Sequence, residues 1–289
     1  MSLKQIESVK AKQQAHKHFK PSPMQAVFIG KTMQKAIIKI PNKLLNALTT
    51  AKHVVVFTGA GVSAESGVST FRDALTGLWA RFDPMQLATA DAFLADPALV
   101  WGWYEWRRQL LLKAQPNAAH QAIAQLAELV PKLTVITQNV DDLHERAGSR
   151  EVLHLHGSIF KPRCFHCGKP YTLVAAPTMT HEQALPPPRC ADCQGMIRPG
   201  VVWFGEALPQ AEMEAAFTAA EHCDVLLSIG TSGVVQPAAQ IPQWALRSGA
   251  WVAHINPQAV SCQHPRELSL VGAAGHIVPL LLQGYKAQN

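Results

Sequence analysis

The chain lacks any uninterrupted apolar run approaching the roughly 20 residues that a membrane-spanning helix needs, which excludes a helical membrane protein. Its N-terminus has no hydrophobic stretch of the export-signal kind, so a cytoplasmic setting is expected. The first 52 residues contain no arginine and a single acid, Glu7, against ten lysines. A mitochondrial presequence would carry arginine, so that destination is disfavoured. Cysteine is scarce, six in 289 residues, and does not suggest a disulfide scaffold in a chain of this length. Internal repeats and long low-complexity tracts are also absent.

The net charge of +6 is confined to the start of the chain. Residues 1–52 carry +9, from ten lysines and one acid; the remaining 16 basic and 19 acidic groups sum to −3. A basic tail can bind nucleic acid or an anionic surface, but more often it is merely solvated. Residues 1–40 read as a flexible leader outside the body. The length suits one large domain, or one domain carrying an insertion.

The body is organised around Val54-Val55-Val56-Phe57-Thr58-Gly59-Ala60-Gly61-Val62-Ser63-Ala64-Glu65-Ser66-Gly67. Four apolar residues followed by closely spaced glycines predict a buried parallel strand, a tight turn and then a helix. Glycine lets backbone approach a ligand, and a helix N-terminus offers N–H groups to a pyrophosphate, so this is a candidate dinucleotide site. The spacing departs from G-x-G-x-x-G, and by itself it is a weak signal.

Further along, Asn42 to Ala51 fits a short amphipathic helix, and Ser69 to Asp83 a loop over the ligand. Asp91 to Ala114 reads as helical, with a start signal at Asp96-Pro97, and His120 to Leu129 as another helix. Strands are expected at Leu133 to Thr137, Val152 to Leu155, Asp224 to Ile229 and Trp251 to Ile255. Their polar or glycine-rich tips (59–61, 138–141, 230–232 and 256) should converge on one crevice, since open parallel sheets bind ligands outside the carboxyl ends of their strands.

Residues 160–200 break the alternation. Cys164-Phe-His-Cys167 and Cys190-Ala-Asp-Cys193 form two C-x2-C pairs separated by 22 residues. Two such turns supply the four thiolates of a closed tetrahedral zinc site, which staples a segment with little core of its own. Cys223 and Cys262 stand alone.

Taken together, Gly59-Ala60-Gly61-Val62-Ser63, Phe71-Arg72-Asp73, Thr137-Gln138-Asn139-Val140-Asp141, His156-Gly157-Ser158, the four cysteines, Trp203-Phe204-Gly205-Glu206 and Gly230-Thr231-Ser232 resemble the sirtuin family in order. The resemblance covers roughly residues 45–283. It implies an NAD-dependent protein lysine deacylase that transfers the acyl group to ADP-ribose and releases nicotinamide. The implied fold is α/β: a Rossmann-type parallel sheet (about 41–70, 116–159 and 201–289) with a small domain made of a helical segment (71–115) and a zinc module (160–200). NAD would contact Gly59, Ala60, Gly61, Glu65, Phe71, Arg72, Gln138, Asn139, Asp141, Gly230, Thr231, Ser232, Asn256, Gln258 and Ala274. His156, with Asn139 and Asp141, would carry the chemistry, because an imidazole titrates near operating pH and can take a ribose hydroxyl proton. The family often has an acid where this chain has Gln258, which bears on affinity more than on activity. An acylated peptide would add as a strand between 202–206 and 233–235, with Val202, Phe204, Gly205, Glu206 and Val234 at the substrate.

Tyr104 and Arg107 lie three apart on a helix, hence on one face. A phenol and a guanidinium fork can clasp a carboxylate, and resemblance to the class III members of the family implies that small Ala88 leaves room for a longer chain. The Tyr-x-x-Arg pattern resembles the class III, desuccinylase and demalonylase-like, bacterial type, so acidic acyl groups are expected in preference to acetyl. A monomer is expected, and neither nucleic acid nor a membrane is an expected partner. Mono-ADP-ribosyltransfer onto protein is the nearest rival. Nucleic-acid binding through the leader is a remoter one, and hydride transfer is disfavoured by the glycine spacing.

Overall fold

The computed structural model describes residues 39–68, 87–173 and 183–289. Leader residues 1–38 and the expected loop with Phe71 and Arg72 lie outside the described residues. In chain order the described elements are α1 (Asn42–Thr50), β1 (Val54–Thr58), α2 (Ala90–Ala95), α3 (Pro97–Lys113), α4 (Ala118–Ala127), β2 (Leu133–Thr137), α5 (Leu143–Arg146), β3 (Val152–His154), β4 (Arg163–Cys164), β5 (Ile197–Arg198), α6 (Gln210–Glu221), β6 (Val225–Ile229), α7 (Ile241–Arg247), β7 (Trp251–Asn256), β8 (Glu267–Val271) and α8 (Ala274–Lys286). Among them no helix is long and apolar enough to cross a membrane.

Every residue of β1 is buried, as the unbroken Val-Val-Val-Phe run requires of a strand covered on both faces. It pairs in parallel with β2 on one side (Val56 opposite Val135) and β6 on the other (Val56 opposite Leu227). The six-stranded order is β3-β2-β1-β6-β7-β8, all parallel. The chain winds outward from β1 to β3, then returns to the far side of β1, so the topological switch lies between β1 and β6.

Alanines 216 and 220 of α6 and Ile241 and Ala245 of α7 pack on Val55, Phe57, Leu226 and Val252. On α8, Ile277, Val278, Leu281 and Leu282 are buried. A second apolar cluster gathers Phe93, Trp101, Trp103 and Tyr104 of α2 and α3 with Cys164, Ile197 and Trp203, beside the short antiparallel β4–β5 pair.

Two expectations are corrected. The helical stretch 91–114 is two helices, because Asp96 leaves helical backbone geometry and caps the second, accepting the Leu99 N–H at 3.0 Å ahead of Pro97. The glycine turn leads not into a full helix but into 3-10 turns over Ala60–Val62 and Ala64–Ser66, ended by Gly67 in the left-handed region. Glycines and serines make that stretch a poor helix former.

The tips of β1 and β2 are tied by buried side chains. Thr58 donates its hydroxyl to Thr137 Oγ1 at 2.9 Å. Thr58 therefore accepts from His144 Nε2–H at 3.0 Å. The His120 ring lies 4.9 Å from that of His144, edge to face. Burial lowers the pKa of His120 to about 4; burial and then the neighbouring His120 lower that of His144 to about 3. Both rings are thus neutral when folded, whereas the unfolded chain protonates them below about 6.5. The unfolded state then binds more protons, so stability is complete above pH 6.5 and is lost as pH falls toward 4. Each ring contributes a slope of up to about 1.4 kcal/mol per pH unit. Urea denaturation between pH 7 and 4.5 should show this slope, and His144→Gln should reduce it by about one proton; an unchanged slope in the variant would refute the assignment.

Candidate active site and zinc centre

The turns after β1, β6 and β7 are stitched together by backbone. Gly59 N–H donates to Ile229 O (3.1 Å), Gly61 N–H to Gly230 O (3.0 Å) and Gly230 N–H to Ile255 O (2.9 Å). A Cβ on Gly61 would fall 2.7 Å from Gly230 Cα, and Gly230 has φ +63°. Glycine is therefore needed for contact between two backbones, and the Gly59 and Gly61 amides are spent on neighbouring backbone. Ser232 is exposed beside it, while Thr231 Oγ1 lies 3.2 Å from Ser228 Oγ. Asn256 ends β7, with exposed Gln258 just beyond. Glu65 accepts the Gly275 N–H at 2.6 Å, next to Ala274. That carboxylate is placed at the positive end of α8.

Asn139 and Asp141 converge on one hydroxyl, as their alternate spacing suggested. Asn139 Nδ2 donates to Ser63 Oγ at 3.1 Å, and Ser63 donates to Asp141 Oδ2 at 3.1 Å. Asp141 Oδ1 also accepts the Leu143 N–H (3.2 Å). Burial raises the Asp141 pKa against these hydrogen bonds. His120 Nε2 approaches Ser63 Oγ at 3.5 Å, and its Nδ1 accepts the Asn117 N–H at 3.3 Å in a capping box. Ser63 and His120 were not among the expected site residues. Asn117 three residues before a ring acceptor was the available signal for His120; the total burial of Ser63 had none.

His156 follows β3. Its Nδ1–H donates to Gln138 O at 2.9 Å, so the neutral ring keeps a lone pair on Nε2. Burial lowers its pKa, opposed by that hydrogen bond. Its carbonyl accepts the Val202 N–H (2.9 Å), and Ser158 N–H donates to Gly200 O. Gly157 between them has φ +73°, and a Cβ there would lie 2.2 Å from Gly200 O. Two residues earlier, His154 donates to Asn139 O (3.2 Å) and pairs with Glu145 (2.6 Å). Burial opposes its charge, but Glu145 prevails and raises its pKa.

Tyr104 is buried on α3, its ring edge-on to Trp103 at 4.6 Å. The Arg107 guanidinium stacks over Trp103 at 4.8 Å. Neighbouring Arg108 is buried against Glu105. Ala88 accepts the Phe204 N–H at 2.9 Å. Phe204 and Val234 are exposed, Val234 by 69%. Glu206 is held instead by Arg198, Nη2 donating to Oε2 at 2.9 Å, and accepts the Trp203 N–H at 2.8 Å. Its carboxylate thus shapes the 202–206 turn.

Cys164, Cys167, Cys190 and Cys193 place their sulfurs within 4.8 Å of one another, with 3.5 and 3.7 Å across two of the pairs. Zinc bound about 2.3 Å from each sulfur sets tetrahedral S···S distances of about 3.8 Å. The four thiolates fit one structural zinc with no open position. Metal analysis should return one zinc per chain, and Cys190→Ser should lose it and lower Tm by several degrees; a stable protein without zinc would contradict the assignment.

Residues 59–237 match the Sir2 family. The NAD-dependent protein deacylase 1 of Pseudomonas aeruginosa (strain PAO1) is 60% identical over 242 residues, covering 83% of this chain and 97% of that protein. A Sir2 homologue solved in complex with NAD is 45% identical with TM-score 0.79, over 87% of this chain and 96% of that one. A Sir2 protein solved with a myristoylated histone peptide is 34% identical with TM-score 0.66, over 85% and 96%. The chain belongs to the Sir2 family, the sirtuins.

Proposed function

We propose that this protein is an NAD-dependent protein lysine deacylase that removes succinyl and malonyl groups in preference to acetyl. The observation that carries the catalytic part is the tautomer of His156, fixed by Gln138 O so that Nε2 is a base at neutral pH. NAD, when bound, supplies the ADP-ribose that accepts the acyl group, with nicotinamide leaving. The crevice fits a dinucleotide, because the β1, β6 and β7 tips meet at the switch point and Asn139, Asp141 and His156 border it from β2 and β3. His156 takes a ribose hydroxyl proton on Nε2. Asn139 and Asp141, locked through Ser63, orient the ribose and carboxamide side. The relatives' deacylase activity and the peptide-bound neighbour support a protein substrate. Exposed Phe204 and Val234 offer apolar flanks to a strand added between 202–206 and 233–235.

Acidic-acyl preference rests on Tyr104 and Arg107. A guanidinium and a phenol gain charge-assisted hydrogen bonds from a carboxylate that an acetyl group lacks.

Acetyl-, succinyl- and malonyl-lysine forms of one peptide, incubated side by side with NAD, test both parts. His156→Ala should lose at least about 100-fold in kcat, in line with general-base catalysis; retained turnover would refute the base. Burial holds the His156 pKa below 6.5, so kcat/KM should stay flat as pH falls from 8 to 6.5 and decline only below it. An acid limb above pH 7 would contradict this. Arg107→Met should cut the succinyl-to-acetyl ratio of kcat/KM by about 10- to 100-fold. Equal loss on both substrates would refute the clasp.

A further inference from the structure

Trp203 joins the turn proposed to bind peptide to the helix proposed to read the acyl group. Its Nε1–H donates to the Tyr104 hydroxyl oxygen at 3.1 Å. The Arg198 guanidinium lies 3.5 Å from the indole centroid, and Phe93 packs against the ring at 5.4 Å. Arg198 is fixed in turn by Glu206 and by Val201 O, the latter at 3.0 Å. With 2% of its surface exposed, the indole cannot turn freely.

The consequence lies in the proton inventory of Tyr104. A phenol both donates and accepts, whereas an indole N–H only donates. Trp203 therefore takes an acceptor position on Tyr104 and directs the phenolic proton away from itself. Among the described residues no side chain or carbonyl accepts that proton. Arg107, on the same face of α3 and stacked on Trp103, carries only donor hydrogens. Donors converging from two side chains complement a carboxylate.

We propose that Trp203 is a positioning residue for acyl selectivity, making Tyr104 a hydrogen-bond donor to the free carboxylate of succinyl- or malonyl-lysine. This rests on the acidic-acyl reading above. Trp203→Phe keeps an aromatic ring for Arg198 and removes the N–H together with the five-membered ring, a loss of packing that both substrates would feel alike. Kinetics on succinyl- and acetyl-lysine forms of one peptide would compare wild type, Trp203→Phe, Tyr104→Phe, the double variant and Arg107→Met. Trp203→Phe should lower the succinyl-to-acetyl ratio of kcat/KM about tenfold, mainly through KM for the succinyl peptide. Tyr104→Phe should do likewise, and the double variant should lose no more than the larger single loss. Equal effects of Trp203→Phe on both substrates, or full additivity with Tyr104→Phe, would overturn the proposal and leave Trp203 a packing residue. If Arg107→Met alone shifts the ratio, the clasp stands and the role of Trp203 falls; if Arg107→Met does not shift it, both fall. Should Trp203→Phe fail to fold, the indole N–H resonance of wild-type Trp203 decides. It should move on binding the succinyl peptide more than the acetyl peptide, and equal response to both would overturn the proposal.

Discussion

Close contact between two backbones, Gly61 against Gly230, is the constraint on which the site depends. It occurs where the sheet reverses its winding, so it brings the tip of β1 onto the tip of β6, and Gly230 N–H extends the contact to β7. No side chain larger than hydrogen can occupy either position without separating the strands. The turn is consequently a joint first: it gathers the strand ends that carry polar groups, and the crevice above them is a result of that gathering.

Around this joint the polar groups share a consistent set of proton positions. Ser63 receives from Asn139 and donates to Asp141, while His120 offers Nε2–H and keeps Nδ1 for the Asn117 amide. His144 reaches the same region through Thr58 and Thr137, whose Oγ1 also accepts the Asn139 N–H at 3.0 Å. This pattern holds only while both buried rings are neutral. In contrast, His154 is stabilised in its charged form by Glu145, and His156 is held between these extremes. Four histidines within one region thus have different proton affinities, set by burial and by the partners of each ring.

Much of this was legible in the sequence. The Val-Val-Val-Phe run before Gly59 and the largely apolar run before Gly230 gave strands with short errors at their ends, because a parallel strand buried on both faces is mostly apolar. The two C-x2-C pairs gave the metal centre, since spacing alone puts two sulfurs on one turn. What could not be read was which polar groups the protein keeps for itself. Glu206 and Glu65 are acids in recognisable motifs, yet one binds Arg198 and the other the first turn of α8, partners 8 and 210 residues away in sequence. Ser63 acquires its role only through burial, and β8 and the helices after residue 209 carry no motif at all.

The most direct test of the whole account is a crystal structure with a non-reacting NAD analogue and a succinyl-lysine peptide bound. The account predicts the nicotinamide ribose within hydrogen-bond reach of His156 Nε2, with its pyrophosphate over the Gly61–Gly230 contact. A dinucleotide bound elsewhere, or an imidazole turned away from the sugar, would contradict it.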